Sequence, residues 1–314
     1  MPILRFLPEA TNINFVGARY VAFAIDGLLL AVTIFSLAWQ GFNLGIDFTG
    51  GVEMEVKAAH MIDIGKMRQE VDALGFGESA LQYIGSGQCD VPVNSCMLIR
   101  VQPHTGQNGA AVAPAIKAKL GNGYTIRSTS VVGPAVSQEL FHAGVTATVL
   151  AIIAIAIWVA FRFEWQYGIA AAFATGHDVL VTAGLFSVFH MEFGLTSIAA
   201  LLTLAGYSIN DTVVVFDRIR ENRRKYKRMG LGDLINLSTN QMLTRTILTS
   251  FLTAASIVPL YFFGGPALAD FSGPILFGIL VGTFSSVSVA AALLLYLPAP
   301  AGVVEGQAAA ANAN

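Results

Sequence analysis

Long apolar stretches separated by polar segments dominate the sequence, and six of them are of membrane-spanning length. They lie at residues 20–39, 141–161, 167–189, 195–216, 246–265 and 271–297. A helix needs about 20 predominantly apolar residues to cross the hydrocarbon of a bilayer. The pattern therefore predicts an all-α membrane domain, a bundle of six helices. We expect the first helix to be retained as an anchor rather than removed as a signal peptide.

Residues 40–140, between the first two stretches, are more polar and have the periodicity of a small folded domain. Apolar residues alternate with charged ones at 52–56, as in a half-buried strand, and recur at helical spacing at 64–74. The predicted elements are strands at 52–56, 80–84, 97–101 and 124–132 and helices at 64–74 and 112–120. This order, βαββαβ, predicts an α+β domain of the ferredoxin-like type.

Basic residues are concentrated between the fourth and fifth stretches. This segment, residues 217–245, carries Arg218, Arg220, Arg223, Arg224, Lys225, Lys227, Arg228 and Arg245. Because loops rich in Lys and Arg stay in the cytoplasm, we expect a basic cytoplasmic loop here. Six helices then place residues 1–19 and a disordered tail, 298–314, in the cytoplasm, and residues 40–140 in the periplasm of a Gram-negative cell. Asp233 is expected to cap a short amphipathic helix on the membrane surface.

Composition narrows the classes of function. Of 314 residues, 54% are apolar and only 12% charged, which excludes a disordered chain and disfavours a soluble one. The net charge of −2 gives no support for nucleic-acid binding. Two cysteines are too few for a zinc site built from cysteine. The sequence contains no Walker, HExxH or Gly-x-Ser-x-Gly motif, so it supports neither an enzyme nor a bound metal or other cofactor.

An acidic residue inside the fourth stretch is the leading candidate for chemistry. Asp211 lies well within the stretch, accompanied by the polar residues Ser208, Asn210 and Thr212. A charged carboxyl costs about 2.5–3.5 kcal/mol at the centre of a membrane helix, so it usually faces protein or a wet cavity. Burial disfavours the charged form, which favours proton exchange by Asp211. The alternative is a carboxyl that nearby hydroxyls cap and that only fixes helix packing.

A basic residue at the start of the fifth stretch could balance Asp211. Arg245 is followed by Thr246, Thr249 and further hydroxyl residues at helical spacing. Such a polar stripe can line a hydrated path or bond to other helices. The alternative is an arginine whose charge reaches the membrane interface along its apolar stem. The sequence leaves both interpretations open.

Two other stretches also contain ionisable residues. His177 and Asp178 lie in the third, and because adjacent helix positions do not face each other, we expect no simple His–Asp dyad. Asp178 is a secondary candidate for the proton pathway, and interhelical hydrogen bonding is favoured for His177. Asp26 lies in the first stretch, where pairing with Arg19 is the preferred interpretation.

A glycine-rich segment follows the first stretch directly. The segment Gly45-Ile-Asp47-Phe48-Thr-Gly50-Gly51 predicts a tight entry into the outer domain, with Asp47 capping local amides. It lacks the strand-then-helix context of a nucleotide-binding loop. We therefore expect a structural motif and no phosphate binding.

Both cysteines, Cys89 and Cys96, lie in the outer domain. The periplasm permits disulfides. A disulfide that closes a small loop is therefore favoured over two free thiols.

Four segments resemble the SecF family of protein-export membrane subunits. They are residues 45–51, 132–140, 177–179 and 206–222. The last of these, with its Asp-Arg-Ile-Arg-Glu-Asn ending, is the most specific, and the resemblance covers about residues 15–297. The family resembles half of a resistance-nodulation-division (RND) transporter, with six spans and one periplasmic domain.

The resemblance implies a bacterial inner-membrane protein with defined partners. These are SecD, the SecYEG channel, the unfolded secretory polypeptide and the surrounding lipid bilayer. It also implies that the proton-motive force drives late steps of export, with Asp211 and Arg245 on the proton route. Protonation of Asp211 from the outer side would weaken its pairing with Arg245 and so shift the helices and the outer domain. The alternatives are an RND-type exporter of small molecules or lipids and a passive scaffold of the translocon.

Overall fold

A computed structural model describes residues 11–84, 89, 92–103, 109–264 and 266–298. In chain order the elements are α1 (Arg19–Gln40), β1 (Asn43–Leu44), α2 (Ile46–Thr49), β2 (Gly51–Ala58), α3 (Ile64–Asp72), β3 (Gly77–Tyr83), β4 (Cys96–Pro103), α4 (Gly109–Leu120), β5 (Tyr124–Val132), α5 (Pro134–Arg162), α6 (Trp165–Val188), β6 (Glu192–Phe193), α7 (Leu195–Lys225), α8 (Leu231–Phe263), α9 (Pro266–Ser285) and α10 (Ala291–Leu293). One π-helical turn, Ser286–Ala290, joins α9 to α10.

Six helices are long and apolar enough to cross a membrane within the described ranges. They are α1, α5, α6, α7, α8 and a last helix, Leu268–Leu293, that combines most of α9 with the π-helical turn and α10. Of these, α6 and the last helix are the most buried, whereas α5 and α8 expose apolar side chains on most of their surface. The predicted bundle of six membrane helices is confirmed.

Most of the basic segment 217–245 is helical, so the expectation of a loop over its whole length is wrong. Helix α7 continues to its end at residue 225 and α8 begins at residue 231, which leaves only residues 226–230 as a connection. The Asn222 amide donates to the Ser238 hydroxyl at 2.9 Å and to Gln241 Oε1 at 2.8 Å. These bonds hold the two helix ends together. Clustered basic residues predict on which side of the membrane a segment lies, and they do not predict whether it is helical.

The short surface helix expected at Asp233 is also wrong. Its residues form the first turns of α8, which begins after Gly230. Leu234 and Ile235 are buried in the core of the bundle. Because no proline interrupts residues 231–245, the backbone continues into the membrane span without a break.

An antiparallel sheet of four strands lies between α1 and α5 in the chain. Its strand order is β3-β4-β2-β5, and Met54 of β2 stands opposite Ile99 of β4 and Thr129 of β5. The side chains of Val52, Met54 and Val56 are buried, as the alternating pattern predicts. Helices α3 and α4 complete this core; the residues they contribute are Met67, Val71, Val112, Ile116 and Leu120. The small sheet region is therefore a packed unit of its own.

Two predicted segments fall largely outside the described residues. Residues 1–10 of the predicted cytoplasmic N-terminus and residues 299–314 of the predicted tail are not described. Residues 11–17 pack on the start of α8, where the Asn236 and Asn240 side chains accept hydrogen bonds, each 2.9 Å long, from the backbone amides of Val16 and Ile13.

Candidate functional site

Ionisable side chains converge in the interior of the helix bundle. Asp26 on α1, His177 and Asp178 on α6 and Asp211 on α7 are all buried. An ionisable group at membrane depth is costly and marks a functional site when protein groups compensate it. These four residues, with the hydroxyls around them, form the candidate site.

Asp178 is the most completely buried of the four and is held from three sides. The Ser208 hydroxyl of α7 donates to Asp178 Oδ2 at 2.5 Å, and the Ser285 hydroxyl of α9 donates to the same oxygen at 2.8 Å. Gly282 of α9 permits this approach, because a Cβ there would lie 3.3 Å from Oδ2. Helices α6, α7 and α9 therefore meet at one carboxyl group.

His177 and Asp178 do contact each other, so the expectation of no His–Asp dyad is wrong. His177 Nδ1 lies 3.1 Å from Asp178 Oδ1. Ser208 and Ser285 fix the other oxygen of Asp178, which leaves Oδ1 turned toward the imidazole of its neighbour. The rule for adjacent helix positions concerns the direction of the Cβ atoms, and two side chains with planar ends can still meet beside the helix.

Asp26 faces His177 and is not paired with Arg19, so that interpretation is wrong. Asp26 Oδ1 lies 4.0 Å from His177 Nε2. The Arg19 guanidinium instead donates to the Val16 carbonyl at 2.8 Å and to the Tyr296 hydroxyl at 3.1 Å. Arg19 is the first residue of α1 and reaches groups at that end, whereas Asp26 lies two turns deeper. The sequence feature that could have marked Asp26 as part of the site is that it is the one acidic residue in α1.

Asp211 lies between α7 and α8 and contacts hydroxyl groups of α8. The Thr249 hydroxyl is 3.4 Å from Asp211 Oδ1, and the Ser250 hydroxyl is 3.3 Å from Oδ2. The Ser250 oxygen also accepts a hydrogen bond from the Thr283 hydroxyl of α9 at 2.7 Å. These bonds to Asp211 are longer than those to Asp178, so its carboxyl group is held less tightly.

The surroundings of Asp178 and Asp211 are joined through two helices. Ser208 and Asp211 are three residues apart on α7 and so share a face of that helix. On α9, Thr283 belongs to the Asp211 side and Ser285 to the Asp178 side. The π-helical turn follows Ser285 directly, and π-helical turns are frequent at functional sites.

Arg245, Thr246 and Asn210 lie outside this contact network. The expected ion pair between Arg245 and Asp211 is not formed: no salt bridge within 4.0 Å joins these two described residues. Arg245 is exposed and lines a cavity of about 430 Å³ with Asp217 and other residues. It lies one turn before Thr249 on α8, and Thr249 and Ser250 are the α8 residues that contact Asp211. Thr246 is buried in α8, and Asn210 is exposed beside α5.

The glycines of the predicted motif form the junction between α2, β2 and α5. Gly50 and Gly51 have φ values of +72° and +126°, which favour glycine. A Cβ at Gly51 would lie 2.6 Å from the Val101 carbonyl oxygen, and one at Gly50 would lie 3.3 Å from the Pro134 Cα. Gly45 lies at the edge of the same junction, where a Cβ would meet the Glu192 side chain.

Asp47 caps a distant helix, so the expectation of local capping is wrong. Its Oδ2 accepts a hydrogen bond from the Leu195 amide at 2.8 Å, at the start of α7. A carboxylate is stabilised by the positive end of a helix dipole. Parallel pairing of β1 with β6 brings these two segments together, and buried Phe48 packs edge-on against Phe141 of α5 with ring centroids 5.5 Å apart.

An arginine of the sheet region ties it to the α6–α7 connection. Arg100 of β4 forms an ion pair with Glu53 of β2 at 2.8 Å and another with Glu192 of β6. All three side chains are partly buried, which reduces screening by water. The helix bundle and the sheet region therefore contact each other through charge as well as through the glycine motif.

Cys89 and Cys96 are joined in a disulfide. Arg127 Nη1 lies 3.1 Å from Cys89 Sγ and 2.6 Å from Glu55 Oε1. The Glu55 carboxylate and the two sulfur atoms lie within 4.8 Å of one another. Because the sulfur atoms bond to each other and a guanidinium lies beside them, this group is unsuited to a metal cation.

Comparisons with known proteins agree with these features. A family profile described as protein export membrane protein SecD/SecF, C-terminal, matches residues 112–299, and one described as the SecD/SecF GG motif matches residues 35–60. The protein translocase subunit SecF of Rickettsia bellii is 38% identical over 93% of this chain and 95% of its own length. That of Escherichia coli O157:H7 is 40% identical over 90% of this chain and 87% of its own length.

Solved structures extend the comparison to the fold. The crystal structure of SecDF from Thermus thermophilus, a translocon-associated membrane protein, superposes with a TM-score of 0.81 at 35% sequence identity. The match covers 93% of this chain but only 39% of the SecDF chain. Motifs, family profiles, relatives and fold therefore agree, and the resemblance inferred from the sequence is confirmed. The chain belongs to the SecD/SecF family of protein-export membrane proteins.

Proposed function

We propose that this chain is the SecF-type subunit of a bacterial Sec translocase that uses the proton-motive force. It acts with SecD and assists late steps in the export of unfolded secretory polypeptides through the SecYEG channel. Family membership supports the translocase role. The SecDF chain is longer than this chain, which spans 39% of it, and its name joins SecD and SecF in one protein. This supports SecD as the partner of this chain.

The proposed topology places the sheet region in the periplasm and both termini in the cytoplasm of an inner-membrane protein. Helix α7 supports this orientation: its first residue contacts Asp47 beside the sheet region, and its last turn carries Arg223, Arg224 and Lys225. With 31 residues it is about 46 Å long, enough to separate the two ends by a bilayer. The βαββαβ order and the strand order β3-β4-β2-β5 support a ferredoxin-like domain.

The observation that carries the proposal is the convergence of buried acids and hydroxyls from several membrane helices. Asp178 and Asp211 each accept hydrogen bonds across a helix interface. A carboxylate only accepts hydrogen bonds, whereas a protonated carboxyl also donates one. Gain or loss of a proton therefore changes which packing of α6, α7, α8 and α9 is favoured, and an outer-to-inner proton gradient can drive the change.

The proposed pathway has an acidic middle and a cationic inner end. Asp211 and Asp178 exchange the proton. The hydroxyls of Ser208, Thr249 and their neighbours bond to these two carboxyls. Arg245, one turn before Thr249 on α8, is the cation nearer the cytoplasm. The outer end of α7 transmits the movement to the sheet region through the Asp47 bond. In this way the domain would hold the emerging polypeptide against backsliding.

The test uses inverted membrane vesicles that contain the full chain and SecD. Asp211→Asn and Asp178→Asn preserve size but remove the exchangeable proton. We expect either variant to reduce export that depends on the proton-motive force to the level of vesicles without the chain. The control is Asp233→Asn, an exposed carboxylate on α8 outside the network, which should export normally.

The alternatives give different outcomes. If both buried variants export normally while deletion of the chain does not, the chain is a passive scaffold. If the chain purifies without SecD and moves small molecules or lipids in a proton gradient, it is an RND-type exporter. Either result would overturn the proposal.

A further inference from the structure

Three adjoining cavities run along α5 and α7, from the basic helix ends into the apolar part of the bundle. Their volumes are about 660, 430 and 550 Å³. The first two share Arg162 and Asp217 as lining residues, and the second and third share Trp158 and Val213. The cavities therefore form one continuous groove, called the α5–α7 groove below.

The basic end of the groove carries unneutralised positive charge. It is lined by Arg162, Arg220, Arg224 and Lys225, with Asp217 and Glu221. Glu221 is neutralised by an ion pair with Arg218 at 2.5 Å. Among the residues that the structure describes, none forms an ion pair within 4.0 Å with any of the four lining cations. This end is therefore complementary to an anion.

The basic end is also structurally defined. Arg220 Nη1 donates to the Arg162 carbonyl at 3.2 Å, which links the end of α5 to α7. The guanidinium groups of Arg162 and Arg220 lie 5.1 and 5.7 Å from the centre of the Phe163 ring. Contact with an aromatic face orients a guanidinium without neutralising it.

The other end of the groove is apolar. Ile155, Trp158, Ile209 and Val213 line it, and its one polar lining residue is Asn210. The aromatic side chains of Trp158, Phe161 and Trp165 are exposed near the end of α5. Tryptophan is enriched where a membrane protein meets the headgroup layer. The joint between the polar and apolar parts of the groove therefore lies at the depth where a phospholipid changes from headgroup to acyl chain.

We propose that the α5–α7 groove binds one anionic phospholipid of the inner leaflet. Its phosphate lies among Arg162, Arg224 and Lys225, and an acyl chain lies along the apolar part beside Trp158. Basic pockets between membrane helices on the cytoplasmic side bind anionic headgroups. A free phosphate would leave the apolar part unfilled, and an apolar helix of a partner would leave the cations unneutralised. The proposal does not depend on the proton pathway.

The first test compares lipid binding by the purified full chain in detergent, measured by native mass spectrometry. We expect tighter binding of phosphatidylglycerol than of phosphatidylcholine. The double variant Arg162→Gln/Arg224→Gln should weaken phosphatidylglycerol binding about thirty-fold, since each basic residue near an anionic lipid contributes about five-fold. The control, Lys227→Gln/Arg228→Gln, removes two exposed charges outside the groove and should bind as before. Equal affinity for both lipids, or equal loss in both variants, would overturn the proposal.

The second test uses tryptophan fluorescence and leaves the basic residues unchanged. Trp39→Phe/Trp165→Phe leaves Trp158 as the single tryptophan of the chain. In bilayers, brominated phosphatidylglycerol should quench Trp158 more strongly than brominated phosphatidylcholine at the same mole fraction. Relief of quenching by millimolar inorganic phosphate would indicate a soluble-anion site. Relief by added SecD would indicate a helix-docking site, and either result would overturn the proposal.

Discussion

At the scale of single residues, the buried carboxyls differ in what compensates their charge. Asp178 accepts short hydrogen bonds from Ser208 and Ser285, whereas the hydroxyls near Asp211 are 3.3–3.4 Å away. A buried carboxylate is stabilised by donors that favour its charged form. We therefore infer that the Asp178 carboxyl is held more rigidly in place than the Asp211 carboxyl.

Removing the donors to Asp178 should destabilise the bundle. A hydrogen bond to a charged group contributes about 1.5–3 kcal/mol, so we expect Ser208→Ala/Ser285→Ala to lower the free energy of unfolding by several kcal/mol. Thermal unfolding of the full chain in detergent measures the effect. Ser256→Ala is the control, because its exposed hydroxyl bonds only to the Thr253 carbonyl within the described structure. If the double variant and the control unfold alike, the hydrogen bonds to Asp178 do not stabilise the bundle.

Gly51 is a second residue whose substitution has a predictable cost. Gly51→Ala places a Cβ 2.6 Å from the Val101 carbonyl oxygen in a backbone conformation with φ of +126°. We expect a loss of about 1–3 kcal/mol, because a non-glycine residue is strained there. Gly133→Ala tests the same junction without strain, since its φ is −76° and nothing lies within 4 Å. Limited proteolysis of the sheet region should detect the first change and not the second.

At the scale of elements, hydropathy predicts which segments are helices but not where they end. The six spans and strand β2 follow from apolar periodicity, because burial of apolar side chains decides both. The extension of α7 and α8 through residues 217–245 could not be predicted from charge. Basic residues are as compatible with a helix that leaves the membrane as with a loop.

The same limit applies to the candidate site. The sequence singles out Asp211 and Asp178 because each is an acid in an apolar stretch. The donors to Asp178 come from positions 30 and 107 residues away in the chain. Their contact depends on how α6, α7 and α9 pack, which periodicity within one helix does not determine. For the same reason the sequence did not distinguish an Arg245 pair with Asp211 from an arginine at the interface.

Close packing of α5 against α6 gives a prediction at this scale. A Cβ at Gly168 would lie 2.8 Å from the Ala156 carbonyl oxygen and 2.7 Å from the Ala160 Cβ. Gly168→Ala must therefore separate the two helices, and overpacking of this kind costs about 1–3 kcal/mol. Gly176→Ala on the same helix meets nothing within 4 Å and should be neutral or stabilising. Thermal unfolding that ranks the two variants in the opposite order would contradict this packing.

At the scale of the whole molecule, α7 connects every functional region inferred above. Its first residue is capped by Asp47, its middle carries Ser208 and Asp211, and its other face lines the α5–α7 groove through Ile209 and Val213. A single continuous helix transmits displacement along its length. The proposed proton exchange, the proposed lipid site and the position of the sheet region are therefore all connected to one helix.

Arg100 is where that influence should be measurable, because it joins the sheet region to the α6–α7 connection. Arg100→Gln leaves Glu53 and Glu192 as neighbouring like charges, so attraction becomes repulsion.

Spin labels at Lys66→Cys on α3 and Phe189→Cys after α6 can report the effect, since both positions are exposed and both native cysteines are in the disulfide. We expect a broader distribution of distances in Arg100→Gln and an unchanged one in Arg68→Gln, which removes an exposed charge from α3. An unchanged distribution in both would mean that the glycine motif and the Asp47 cap alone fix the domain on the bundle. A broader distribution accompanied by loss of export driven by the proton-motive force would place this ion-paired contact on the route from the buried carboxyls to the polypeptide.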